Sequence, residues 1–325
     1  MRTQIFKWLY RFGTARVLRR AKQDQLTILS LHRVTEDRDY YFQPIRPATF
    51  DALLRHLARH YTIVPFADVS SLKKGMKKPP LILSFDDGYY DFVQFTMPIL
   101  QKHKLGANVN IVNECANSNM QIWTQRLNWL FIAAWDGGLV NMRIELNGQP
   151  FTVADFNGDW HRFYLKVFTT LLTYPREPRL ALIRSLEEEL GQSANYRMMN
   201  WDEVRQCAEA GIEVGCHTYT HDVISTITDA ELLHKEITLS KLEMEAQLRR
   251  PVTLVSLPNG QGNEAAEAEV RRAGYEYMLY VDNRTNPLPI TGAEMKVMYR
   301  IGLLDECLEE TALRVELFHN KFSKP

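Results

Sequence analysis

The chain has no excess of either charge, 39 basic side chains being matched by 39 acidic ones over 325 residues. A formal charge of zero and an isoelectric point near 7.1 supply none of the phosphate neutralisation that drives nucleic-acid binding, so no nucleic-acid partner is expected. Cysteine is scarce as well: Cys115, Cys207, Cys216 and Cys307 show no C-x-x-C spacing. That excludes a cysteine zinc cluster and a dense disulfide framework, and it favours a reduced compartment. No apolar run approaches the ~20 residues of a membrane-spanning helix. Nor does an apolar stretch with a small-residue cleavage site follow the N-terminus, so no secretory signal is read. The expectation is a cytoplasmic protein, at most peripheral to the inner membrane face. Repeats and low-complexity tracts are missing too. With 45% hydrophobic and 11% aromatic residues, the chain has the material for a sizeable core and is not disordered.

What is present begins with a basic end. Arg2, Lys7, Arg11, Arg16, Arg19, Arg20 and Lys22 precede the first acid, Asp24, and are interleaved with Ile5, Phe6, Trp8, Leu9, Tyr10 and Phe12. Residues 1–25 therefore read as a basic amphipathic segment, able to rest on an anionic membrane or to pack on the domain with its charges solvated. From Leu26 onward short apolar runs alternate with helical patterns, the mark of a parallel sheet built from βα units. The strands expected are Leu26–Leu31, Tyr61–Phe66, Pro80–Phe85, Ala107–Val112, Ile212–Cys216, Val252–Leu257, Tyr275–Val281 and Lys296–Ile301. Between about 114 and 200 the rhythm breaks into helical patterns and a hairpin about Asn147-Gly148, an inserted, mainly helical subdomain. A long helix is expected over 229–250 and a last one over 305–318. The fold class is α/β, a distorted β/α barrel over residues 26–325, with chemistry at the C-terminal ends of its strands.

Polar residues end these strands: His32 the first, Asp86 and Asp87 the third, His217 the fifth with His221 just beyond, and Asn259 after the sixth. The i, i+4 spacing of His217 and His221 on a helical turn puts two imidazoles within reach of one cation. Two histidines with a carboxylate and open positions suit a hydrolytic metal. Gly88 permits a tight turn after the paired acids. Read blandly, Asp86-Asp87-Gly88 is a turn with a helix cap.

Ser84-Phe85-Asp86-Asp87-Gly88 resembles the (T/S)FDDG motif, and His217-Thr218-Tyr219-Thr220-His221 the H(S/T)xxH motif, of the NodB-like polysaccharide deacetylases, carbohydrate esterase family 4. The resemblance implies a distorted (β/α)7 barrel and metal-dependent removal of acetyl groups from an N-acetylated amino-sugar glycan or glycolipid. It implies that Asp87, His217 and His221 hold a divalent ion, zinc, cobalt, nickel or manganese, and that Asp86 is the general base. Leu29-Ser30-Leu31-His32-Arg33-Val34 resembles the YHR(V/I) segment of circularly permuted, exopolysaccharide-type members, which makes His32 the general acid. Leu317-Phe318-His319 matches the letters of the usual acid motif but falls in a helix.

The sequence departs from the family at Val255–Gly260. Ser256 stands where an arginine orients the base, and Asn259 replaces a tyrosine, although its main-chain N–H can still serve an oxyanion. Arg300, closing a late strand, is the candidate replacement for the arginine. Trp123, Trp129, Trp135 and Trp160 are candidate sugar-stacking platforms, if not core. Two further readings stand beside the deacetylase: a non-catalytic carbohydrate-binding or assembly protein that kept the barrel, and a deacylase of a non-sugar amide.

Overall fold

The structure is a computed structural model that describes residues 2–325 except 119, 140, 141, 192, 195, 304, 305 and 320–325. Its strands are β1 (Gln25–Leu31), β2 (Thr62–Ile63), β3 (Pro80–Phe85), β4 (Asn108–Ile111), β5 (Arg143–Leu146), β6 (Gln149–Thr152), β7 (Glu213–Cys216), β8 (Leu254–Ser256), β9 (Tyr277–Val281), β10 (Asn286–Pro287) and β11 (Lys296–Gly302). In parallel, β1 pairs with β11, then β9, β8, β7, β4 and β3 follow, and β3 pairs back onto β1. Seven strands thus close a barrel, as expected. The N-terminal strand β1 is the one that closes it, between β3 and β11. Strand β2 shares an edge of β3 with β4, and β10 runs antiparallel beside β1.

Strand alternation explains what fills the barrel. Successive side chains point to opposite faces, so Leu29, Leu31, Leu81, Leu83 and Phe85 join the core under the outer helices. Leu26, Ile28, Ile82, Leu254, Leu279 and Met298 pack inside, with Phe66 and Val69 in the same cluster. One step further toward the mouth, the same faces carry Ser30, Ser84, Ser256, Asn110 and Arg300, all buried. A polar layer therefore lies between the apolar floor and the strand ends. Gly215 lies on β7 beneath His217; a Cβ there would stand 2.1 Å from the Leu254 side chain and 2.2 Å from Asn110 Oδ1.

Several elements differ from expectation. The second strand is two residues long, because the chain passes Pro65 into a 3₁₀ turn over Phe66–Ser71, whose N–H groups at Phe66 and Ala67 donate to the Glu213 carboxylate. The long helix is interrupted: Ala230–His234 and Ser240–Leu248 flank a π-helical turn, Lys235–Leu239. The last helix covers Leu308–Val315; its expected start at Asp305 lies outside the described residues. Between β4 and β7 the helices Asn113–Ser118, Trp123–Asp136, Trp160–Leu171 and Arg176–Leu190 surround the β5–β6 hairpin. Its turn residues Asn147 and Gly148 both have positive φ, 52° and 75°, the geometry that a two-residue hairpin favours. This segment has an apolar cluster of its own, with Trp123, Leu127, Phe131, Phe163, Val167 and Ile183.

The basic end forms two helices, Arg2–Arg11 and Thr14–Ala21, the first packed on Leu308–Val315. Its charges are not all uncompensated: Lys22 Nζ lies 3.3 Å and Arg19 Nη1 3.5 Å from the buried Glu316 carboxylate. Among the described residues no helix is long and apolar enough to cross a membrane.

Candidate active site

The β1–β3 register pairs Leu31 with Phe85, so the residues that follow, His32 and Asp86, emerge side by side at one mouth. The Asp86 N–H donates to Leu31 O at 2.9 Å. Asp87 then turns away with φ 76° and Gly88 with φ 80°. Left-handed backbone is costly for a residue with a Cβ, roughly 1–3 kcal/mol, and persists where the surroundings enforce it. Thr218, His221 and Asn259 share this conformation, with φ of 65°, 58° and 55°.

Asp87, His217 and His221 converge, each offering a ligand atom within 4.8 Å of the others, and all three are buried. Asp87 Oδ1 stands 3.1 Å from His217 Nε2 and 3.2 Å from His221 Nε2, yet has no hydrogen-bond partner of acceptable geometry. His217 Nδ1 lies 2.8 Å from Ser256 O. A carbonyl only accepts, so Nδ1 carries the proton and the lone pair of Nε2 faces Asp87. An orphaned buried carboxylate oxygen facing a nitrogen lone pair is repulsive unless a cation, either a proton on that nitrogen or a metal ion, lies between them. The residues therefore fit a divalent ion, and a nitrogen and oxygen donor set of this kind suits several transition metals. Burial lowers the His217 pKa, but the Asp86 and Asp87 carboxylates outweigh it and raise the net value, a mark of the cation-seeking field of the paired acids.

One expectation about this pair is corrected. His217 and His221 do not sit on a helical turn; residues 217–221 form an irregular loop. The Glu236 carboxylate holds it, accepting from Tyr219 N at 3.1 Å, Thr220 N at 2.9 Å and Thr220 Oγ1 at 2.7 Å. Glu236 reaches the loop from the π-helical turn, a type of distortion frequent at functional sites.

Asp86 is held differently. Arg300 clamps it in a bidentate pair, Nη1 to Oδ1 at 2.9 Å and Nη2 to Oδ2 at 2.7 Å, and Asn110 Nδ2 donates to Oδ1 at 2.6 Å. Burial alone would raise the Asp86 carboxyl; Arg300, with His217 and the hydrogen bonds, outweighs it and holds the group well below the usual carboxylate range. Arg300 Nη2 also donates to Ser256 Oγ at 2.6 Å and Nη1 to Ser84 Oγ at 3.2 Å. The small residue at 256 leaves interior room that the guanidinium enters from β11. Arg300 thus joins Asp86 to Ser256 of β8.

His32 Nε2 lies 4.0 Å from Asp86 Oδ2, and the ring meets Phe42 edge-on at 4.8 Å between centroids. Burial lowers the His32 pKa against the pull of Asp87 and Asp86, so the imidazole rests toward its neutral form. The neighbouring Arg33 is buried, paired to Asp91 at 2.7 Å and stacked on Tyr89 and Tyr196. Asn259 lines the same cavity, of about 220 Å³, as do His32, Asp86, Asp87, His217, His221 and Arg300. His319 is not among its lining residues; its ring stacks on Phe6.

Which residues of the insertion reach the site was not readable from the sequence. Thr124, Gln125, Asn128, Tyr164 and Phe168 form one wall of the cavity, and Phe42 another part. The expected tryptophan platforms do not line it: Trp123 is core, packed between Phe168 and Arg179, and Trp135 lies against Tyr40. Arg179, fully buried, pairs with Asp222 at 2.6 Å and so ties the insertion to the residue after His221. The helical spacing of Gln125 and Asn128 gave no hint of this, since their amides are aimed by the distant Asp39, at 3.1 and 3.2 Å.

Residues 179–278 match the family model for polysaccharide deacetylase, a span holding His217, His221 and Asn259 but not the paired aspartates. By sequence the chain matches none of the curated proteins. Among solved structures it is similar to a deacetylase, PplD, of Streptococcus pyogenes in complex with acetate, at 14% identity and TM-score 0.59, covering 90% of this chain and 98% of that one. It is similar to IcaB of Ammonifex degensii, at 14% identity and TM-score 0.57, covering 90% and 97%. The deacetylase domain of BpsB from Bordetella bronchiseptica follows at 14% identity and TM-score 0.51, covering 88% and 98%. The resemblance to polysaccharide deacetylases is thereby borne out in family segment and fold.

Proposed function

We propose that this barrel, with its polysaccharide deacetylase segment, is a metal-dependent N-deacetylase of an amino-sugar glycan or glycolipid. The observation that carries the reading is the pairing of the Asp87–His217–His221 ligand set, in which Asp87 Oδ1 has no hydrogen-bond partner, with a second carboxylate, Asp86, kept separate by Arg300. A divalent ion held by the three ligands would supply the Lewis acidity that polarises an acetamide carbonyl and acidifies water. Asp86, ionised and fixed by Arg300, takes the proton as the water oxygen bonds to the acetyl carbon. Asp86 would then pass this proton on. His32, neutral at rest and 4.0 Å away, is placed to receive it and to deliver it to the departing amine as the C–N bond breaks, leaving acetate. Asn259 lines the cavity in a left-handed conformation, and its main-chain N–H would serve the oxyanion.

The intact clamp on Asp86 favours an enzyme over a carbohydrate-binding relic, since it holds a second carboxylate beside the ligand set, where a base acting on a bound water is needed. The test is acetate release from chitooligosaccharides and poly-N-acetylglucosamine fragments by the metal-loaded protein. Release that stops on chelation supports the reading. Bound metal with no acetate from any amino sugar, but cleavage of other amides, would replace it with the non-sugar deacylase.

The same proposal gives the basic end a membrane role. Trp8 is 58% and Phe12 69% exposed, and Ile5 and Val17 are exposed with them. Beside them a cleft of about 620 Å³ is lined by Arg16, Arg19, Arg20, Arg59, Lys77 and Lys78, with no acid among its lining residues. Exposed aromatics with cations suit an anionic bilayer surface. Deleting residues 1–22 should abolish sedimentation with phosphatidylserine vesicles; unchanged sedimentation would remove this role.

A further inference from the structure

Resting on the deacetylase reading of this site, we infer that the helical insertion reduces the barrel mouth to a pocket for a single sugar ring, so that the substrate unit is a terminal N-acetylated pyranose and not an internal residue of a long chain. The cavity holds about 220 Å³, below the ~300–1,000 Å³ of pockets for drug-sized ligands, and room for about one pyranose with its acetamido arm. A chain bound through an internal unit needs openings on both sides of that unit. Here the wall facing the ligand set is built by two helices, Trp123–Asp136 with Thr124, Gln125 and Asn128, and Trp160–Leu171 with Tyr164 and Phe168. Tyr164 and Phe168 stand in a column of near-parallel rings between Tyr41 and Trp123, which stiffens this wall, and Phe42 adds an apolar surface to the cavity.

The wall is fixed in place. The Asp39 carboxylate accepts from both amides, Tyr89 OH donates to Gln125 Oε1 at 3.0 Å, and Tyr164 OH donates to Asn128 Oδ1. Arg179 donates to Leu171 O at 3.1 Å, at the end of the helix that carries Tyr164 and Phe168, and to Tyr174 O and Asp222 Oδ1, both at 2.6 Å. Asp222 adjoins His221. Swinging this wall aside like a lid would strip a fully buried guanidinium of its partners, so the narrow mouth is the resting and the working form.

The experiment incubates the full, metal-loaded chain with N-acetylated chitooligosaccharides of increasing length and locates the lost acetyl groups by tandem mass spectrometry. The expected product has lost its acetyl at one chain end only, internal units reacting at least about 100-fold more slowly, the scale on which unmet contacts separate substrates. Phe168→Ala, which widens the wall, should begin to deacetylate internal units. Internal units processed within about tenfold of terminal ones by the wild type would overturn the inference and leave the deacetylase reading intact. Absence of acetate at every length, with the ion bound, would overturn the deacetylase reading itself and the inference with it.

Discussion

Replacing Arg300 by methionine separates the electrostatic role of this side chain from its volume. In the folded protein the guanidinium is fully buried and neutralises a carboxylate that is itself buried. Removing one partner of such a pair leaves an uncompensated charge and costs about 3–5 kcal/mol. The bidentate geometry and the two serine contacts put this case toward the upper part of that range. The pH dependence has a definite sign. In the wild type the depressed Asp86 pKa contributes stability that is present above the unfolded carboxyl value and is lost only as pH falls through the folded one. In Arg300→Met burial dominates and raises the Asp86 pKa, so the folded variant takes up a proton and its deficit shrinks as the solution is acidified. Urea unfolding of the metal-free protein at about pH 7.5 and about pH 5 reads both effects. Asp86→Asn in the Arg300→Met background should recover much of the loss, closing a double-mutant cycle with a large coupling. A deficit under about 1 kcal/mol that is the same at both pH values would refute the reasoning, because it would mean that the pair carries no more than a surface salt bridge.

Other outcomes follow from the same geometry. Asp87→Asn, and His217→Ala separately, should lose the stoichiometric divalent ion measured by elemental analysis while remaining folded by circular dichroism. His32→Ala should keep the ion and lose about 10²–10⁴-fold in turnover, the range for removal of a general acid or base; near-normal turnover would deny it the proton-transfer role. Gly215→Ala should destabilise by about 1–3 kcal/mol in urea, since its Cβ would fall 2.1 Å from Leu254 in a packed interior.

The parts of this molecule that were legible in the sequence are those written locally. A run such as Pro80–Phe85, buried at every position, has the composition of a strand covered on both faces, and the acids after it then fall at a barrel mouth. His32 could be placed there for the same reason, and Arg300 by its position near the end of a strand. That Arg300 stands in for the missing arginine was expected from the resemblance alone; its bidentate reach to Asp86 was not legible, because it spans 214 positions and depends on three serines and an asparagine leaving the interior open. The pair His217 and His221 was found by spacing, but the spacing suggested a helix; the loop's form depends on a carboxylate from a π-helical turn, which no period announces. The insertion read as a break in rhythm, and its helices were visible, whereas Gln125, Asn128 and Phe168 became site residues only through contacts with Asp39, Tyr89 and the barrel mouth. The tryptophans drew attention by size and belong to the core or to the surface, while smaller aromatic rings line the pocket.

Hydrolysis of an acetamide by Asp86 and its metal-binding neighbours can be followed with an N-acetylated chitooligosaccharide in ¹⁸O-labelled water. The expected result is loss of an acetyl group, the label incorporated once into the released acetate, and no release from Asp86→Asn although that variant still binds the ion. Acetyl loss that continues undiminished in metal-loaded Asp86→Asn would contradict it.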